Sequence, residues 1–269
     1  MKKMVLGVAL VASAAAFADA VTSSVVGYQT LTINPGFNMI ALNFQPLNGT
    51  EEIAISNLVT DTSALVAGNA AASADQIQVW DGSKFDVYFY RANKTTTPKW
   101  TKGPGWVKSS DSANLTGDTI ARGQGVWFAR PATAEAGTIT VSGAVNAAPK
   151  THDISAGFNM ISSAFPTDLV LNGGTINWAE CGAVAGNAAA SADQIQVWDG
   201  EKFDVYFYRA NKTTTPKWTK GPGWVKSSDS ANLTTDTIPA GKGFWYARPS
   251  SSAAGTLVET SPLATPAAE

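Results

Sequence analysis

The sequence predicts an all-β protein of two tandem β-sandwich or barrel-like domains produced by an internal duplication. Three observations carry that expectation. Apolar and polar residues alternate in short runs bounded by Gly, Pro, Asn and Asp, the signature of half-buried strands. Helical periodicity is confined to a turn or two around residues 53–58 and an equivalent near Trp178. Residues 67–120 match residues 185–238 at an offset of 118, differing only at Ser83 against Glu201 and Gly117 against Thr235. A unit of about 120 residues has the size of a domain, not of a solenoid repeat.

Each strand has its own warrant. Residues 29–33 alternate, Asn34-Pro35-Gly36 reads as a turn, and residues 37–42 form the next strand. Residues 75–80 and 85–90 flank Asp81-Gly82, a hairpin signal. If Ile77 and Val79 share the core face with Phe85, Val87 and Phe89, the loop between them has an odd length and carries a bulge. The opposite face then displays Trp80, Tyr88 and Tyr90 beside Gln76, Gln78 and Asp86. Residues 125–129 and 138–141 supply closing strands, and Trp127 and Trp245 are expected in the core. The divisions expected are residues 1–20, a signal peptide; 21–145, the first β-domain; 146–260, the second; and 261–269, a disordered tail.

Composition narrows the function. The chain has 269 residues, 44% hydrophobic, with a net charge of −2. That balance argues against nucleic acid as a partner. One His (His152) and one Cys (Cys181) exclude a Cys/His zinc site, a CxxC redox pair and an intrachain disulfide. No metal or other cofactor is expected. Lys2 and Lys3, a short apolar run and the small-x-small steps ending at Ala18 and Ala20 read as a secretory leader. No stretch approaches the roughly 20 apolar residues of a membrane span. The protein is therefore expected to be exported, to the periplasm, the cell surface or the extracellular space. Cys181 is expected to be buried as a small hydrophobe.

Two further pairs of motifs frame the repeat. Gly36-Phe-Asn-Met-Ile40 faces Gly157-Phe-Asn-Met-Ile161, and Gly123-Gln-Gly-Val-Trp127 faces Gly241-Lys-Gly-Phe-Trp245. With the Val-Trp-Asp-Gly hairpin and the Gly-Thr-Ile-Thr-Val-Ser-Gly strand, they resemble β-rich repeat modules of uncharacterised exported bacterial proteins. There the opening strand often reads Gly-Trp-Asn-Leu-Ile; Phe replaces Trp in both copies here. The resemblance implies export and all-β architecture, and supplies no active site.

Candidate chemistry is sparse. His152 beside Asp153 sits next to the expected linker around residues 143–150 and reads as a solvated linker residue. Asp111, Asn114 and Asp118 offer oxygen ligands of the kind calcium takes, without EF-hand spacing; an Asx-rich turn explains them as well. Residues 91–108 hold Arg91, Lys94, Lys99, Lys102 and Lys108 with Trp100 and Trp106 interleaved and no acid. The second copy repeats this from Arg209, with Trp218 and Trp224. Flat rings and cationic heads suit a sugar or a polyanionic polymer; alternatively the rings anchor a loop while the lysines stay in water. The candidate ligand-binding set is Trp80, Tyr88, Tyr90, Arg91, Trp100 and Trp106, with Trp198, Tyr206, Tyr208, Arg209, Trp218 and Trp224. The expected role is an exported, non-catalytic structural or adhesive protein. A tandem carbohydrate-binding protein is the alternative and an extracellular hydrolase the third reading. Expected partners are a polysaccharide or matrix polymer, with self-association left open.

Overall fold

The structure is a computed structural model and describes residues 25–93, 103–211 and 221–263. The expected leader and the end of the expected tail lie outside these residues. So do Trp100, Trp218 and the lysines flanking them.

The chain is all-β, and the two copies repeat the same nine strands. In the first they are β1 (Val26–Ile33), β2 (Gly36–Ala41), β3 (Glu52–Ala54), β4 (Gln76–Trp80), β5 (Phe85–Arg91), β6 (Gly105–Lys108), β7 (Thr119–Ala121), β8 (Gly125–Arg130) and β9 (Gly137–Ala144). In the second they are β10 (Lys150–Ile154), β11 (Gly157–Ser162), β12 (Leu169–Val170), β13 (Gln194–Trp198), β14 (Phe203–Arg209), β15 (Gly223–Lys226), β16 (Thr237–Ile238), β17 (Gly243–Arg248) and β18 (Gly255–Glu259). Each copy has a five-stranded antiparallel sheet, ordered β2-β8-β4-β5-β6 in the first and β11-β17-β13-β14-β15 in the second. Two-stranded ribbons complete each sandwich: β1-β9 and β3-β7, then β10-β18 and β12-β16. The expected helix around residues 53–58 is β3 followed by one 3-10 turn, Ile55–Asn57.

Alternation explains the first core. Ile77 and Phe128 on the sheet, Ile33 and Ile139 on one ribbon, and Ile120 on the other close over it, with Tyr88, Tyr90 and Trp106. The second core repeats this with Tyr206, Tyr208, Trp224 and Tyr246. Such side chains contribute roughly 1.5–3 kcal/mol each on burial, and in a chain without a disulfide they carry the stability.

The hairpin corrects the expected parity. Trp80 pairs with Phe85 and Ile77 with Tyr88, so the loop is four residues, 81–84. The Asp81 carboxylate accepts from the backbone N–H of Ser83 at 2.8 Å and of Lys84 at 2.9 Å, which fixes that length. Opposed residues share a face. Tyr88 and Tyr90 therefore join Ile77 and Val79 over the core, and Trp80 goes to the other side with Phe85, Val87 and Phe89. The premise of a single buried face fails because both faces of this sheet are covered.

A buried ion pair in each copy ties β8 or β17 to the loop before the hairpin. Arg130 Nη2 donates to Asp75 Oδ2 at 2.7 Å, and Arg248 to Asp193 at 3.0 Å. Both carboxylates are fully buried. Asp75 also accepts from the Val66 N–H, and Asp193 from the Tyr246 hydroxyl at 2.5 Å. A buried pair of this kind is tolerable because its remaining lone pairs are satisfied.

Candidate functional site

The outer faces of the two five-stranded sheets meet. Met39, Trp80, Phe85 and Trp127 from the first copy pack with Met160, Trp198, Phe203 and Trp245 from the second. Trp127 and Trp245 thus belong to the junction between copies and not, as expected, to the core of their own copy. Trp80 stands edge-on to Trp245 with ring centroids 5.6 Å apart, and Trp127 to Trp198 at 5.9 Å. Edge-to-face geometry sets the positive ring edge against the negative face.

The polar contacts are reciprocal. Trp80 donates its indole N–H to the Phe158 carbonyl, and Trp198 to the Phe37 carbonyl, both at 2.9 Å. The Ala41 N–H donates to the Gly241 carbonyl at 2.9 Å, and the Ser162 N–H to the Gly123 carbonyl at 2.8 Å. Backbone bridges join Ile40 to Lys242 and Ile161 to Gln124. Each of these contacts has its image in the other copy, so the copies are related by a local two-fold arrangement.

The two framing motifs encode this junction. Gly123 and Gly241 hold φ values of +83° and +80°, which favour glycine. A Cβ at Gly125 would lie 2.6 Å from the Ile161 carbonyl oxygen, and one at Gly243 2.7 Å from that of Ile40. The second glycine of each Gly-x-Gly-x-Trp motif is what lets the two backbones touch. In the opening motif, Asn38 braces the turn through Asn34, Met39 enters the junction, and the Phe37 carbonyl receives Trp198.

Two clefts flank the junction, each built from both copies. The larger, about 470 Å³, is lined by Phe158, Trp80, Asp81, Arg122, Lys150 and His152 among others. Its image, about 250 Å³, is lined by Phe37, Asn34, Trp198, Asp199, Pro239 and Lys242 among others. Phe37 and Phe158 are half-exposed, at 51% and 52%, while most other large aromatics described are covered.

The larger cleft carries a charge cluster that its image lacks. Arg122 donates to Glu51 through Nε at 3.0 Å and across the junction to the Ala164 carbonyl at 3.2 Å. Lys150 reaches the same carboxylate at 3.3 Å. Partial burial opposes ionisation of Glu51, but the hydrogen bonds and charges of Arg122 and Lys150 outweigh it and hold the carboxyl below its ordinary range. His152 is not the solvated linker residue expected: it is buried in β10, with Nε2 3.5 Å from Glu259 Oε2. Ser163 donates to Glu259 Oε1 at 2.6 Å, and the Ala164 N–H donates to Oε2 at 2.8 Å. The carboxylate stands between serine and imidazole, so His152 is not placed to take the Ser163 proton, as nucleophile activation requires. The sequence hid this cluster because His152 and Glu259 are more than 100 residues apart, joined only by the β10-β18 pairing.

The other predicted residues divide clearly. Tyr88, Tyr90 and Trp106, with Tyr206, Tyr208 and Trp224, are buried in the two cores. Burial and the Asp118 carboxylate, which the Tyr88 hydroxyl contacts at 2.6 Å, push that phenol up to about 12. Tyr206 is raised for the same reasons through Asp236. Arg91 is buried and donates to the Ser112 and Ala113 carbonyls, both at 2.9 Å; Arg209 meets those of Ser230 and Ala231. Trp80 and Trp198 are only partly covered, and lie in the junction. Structure therefore separates the described members of the predicted ligand set into core and junction residues and does not gather them on one exposed face.

Asn114 donates to both oxygens of Asp111, at 3.2 and 3.1 Å, as in an Asx-type turn. Among the described residues, no group of three or more His, Cys, Asp or Glu side chains is placed to hold a metal ion. Cys181 is half-buried, not buried, and its sulfur accepts from the Val258 N–H at 3.3 Å. Among the described residues no helix is long and apolar enough to cross a membrane. Comparison with protein-family models, curated proteins and solved structures returns no match.

Proposed function

We propose that the protein is an exported, non-catalytic structural or adhesive component of the cell surface or extracellular material. One observation carries this reading: the destination of the aromatic side chains. Among the described residues, the rings named for a sugar-binding face, Trp80, Tyr88, Tyr90 and Trp106 with their counterparts, are packed inside the copies or between them. The motifs that mark both copies serve to join them. Such a chain is built to hold its shape, and the leader-like residues 1–20 add export. The test is to express the whole chain in its cell of origin and label intact cells with an impermeant reagent. A mature protein starting at Val21 and labelled from outside is expected; retention in the cytoplasm, or hydrolysis of polysaccharide by the purified protein, overturns the reading.

A second reading is favoured by Phe37 and Phe158, half-exposed at equivalent cleft mouths. Each is a ring on which a sugar could stack, beside an Asp-Gly hairpin tip, so the protein would bind carbohydrate at two sites. Titration with neutral and acidic polysaccharides separates the cases. Stacking on neutral sugar is nearly independent of salt, whereas polyanion binding is screened. Replacing both phenylalanines by alanine would abolish the first and leave binding through the segments around Trp100 and Trp218 intact.

A further inference from the structure

The junction between the copies does not distinguish its own partner from the same copy of another molecule. Its central residues are matched pairs: Met39 with Met160, Trp80 with Trp198, Phe85 with Phe203, Trp127 with Trp245. The indole hydrogen bonds and the backbone bridges are matched as well. A surface of this kind is self-complementary in the sense of an isologous dimer, here folded within one chain. What selects the partner on the same chain is the connection from Ala144, the end of β9, to Lys150, the start of β10. A short tether supplies an effective concentration in the millimolar range and no added specificity.

We infer that this junction is an exchangeable interaction surface whose partner is the complementary copy of a second molecule of this chain. On exchange, the first copy of one molecule seats on the second copy of the next. No contact across the junction is lost, because each reforms between chains. The contacts lacking a matched image, Arg122 on the Ala164 carbonyl and Lys150 on the Glu51 carboxylate, favour unlike copies over like ones. The pairing is therefore head-to-tail between chains. Reciprocal exchange closes a dimer, and serial exchange gives an open filament. Dilute chains stay closed on themselves; chains crowded to near the tether's effective concentration exchange. The inference rests on the geometry of the junction and not on the proposed role, though a protein that concatenates would suit it.

The test uses the full chain with Cys181→Ser. One population carries Ile40→Cys and another Lys242→Cys, which the backbone bridge places opposite each other. A single chain carrying both changes is the geometric control and closes an intrachain disulfide. The two populations are unfolded, mixed, and refolded at roughly micromolar and at roughly millimolar concentration. Non-reducing electrophoresis is expected to show a mixed disulfide dimer that is scarce at the lower concentration and abundant at the higher. It is lost when both chains also carry Trp80→Ala and Trp198→Ala. Absence of the mixed dimer at the higher concentration overturns the inference. So does a mixed dimer that forms equally in the tryptophan variants, since random collision then explains it. If Ile40→Cys prevents folding, Gln124→Cys with Ile161→Cys probes the matching bridge. Failure of the intrachain control at both bridges overturns the geometry itself.

Discussion

Trp80 of the first copy meets Trp245 of the second edge-to-face, ring centroids 5.6 Å apart, while its indole N–H donates to the Phe158 carbonyl. One side chain thus supplies both an apolar and a polar contact between the copies. Trp80→Ala should lower unfolding stability by about 2–4 kcal/mol, and Trp80→Phe, which keeps a ring and loses the hydrogen bond, by less. Urea unfolding of the two variants and of Trp198→Ala checks this. Because Trp80 and Trp198 serve one cluster, the double variant should cost less than the two single effects added.

Gly125 makes a prediction of opposite kind, since it adds atoms. A methyl there would stand 2.6 Å from a backbone oxygen of the other copy, which cannot swing away as a side chain can. Gly125→Ala should destabilise by about 1–3 kcal/mol through overpacking. Its effect should appear first as lost protection of the Ser162 amide, which bonds to Gly123 across the junction. Hydrogen exchange at that amide is the measurement.

The Arg130–Asp75 pair should be costly to break and cheap to replace. Asp75→Ala leaves a buried guanidinium without its carboxylate and should cost about 3–5 kcal/mol. Asp75→Leu combined with Arg130→Met should cost much less than the sum of its single changes. Thermal unfolding of the four proteins completes the cycle.

Tyr88 predicts a response to base. Its phenol is raised from 10.0 to about 12 by burial and by the Asp118 carboxylate, so the folded chain favours the neutral form. Stability from this group is complete below about pH 10 and is lost as the pH rises through about 12. Tyr88→Phe removes that titration. Its unfolding free energy should be lower than that of the parent at pH 8 and should fall less between pH 10 and pH 12, as chemical denaturation across that range would register.

Strand positions, the duplication and the all-β class follow from local pattern, because alternation and turn residues report directly on backbone and burial. Tyr88 and Trp80 mark where that kind of information stops. Their spacing requires that they lie on opposite or equal faces only once a loop length is chosen, and the Asp81 side chain, by bonding two N–H groups, chose four residues. The sequence also marks Gly-x-Gly-x-Trp and Gly-Phe-Asn-Met-Ile as special in both copies, but not for what. Their purpose depends on a second surface arriving from more than 100 residues away, and a one-dimensional pattern does not distinguish a face covered by its own domain from a face covered by its duplicate. His152 and Glu259 are isolated letters for the same reason, and become neighbours only through the pairing of the first and last strands of the second copy. Local chemistry determined the elements; the docking of two nearly identical sheets decided which residues became core, junction or cleft.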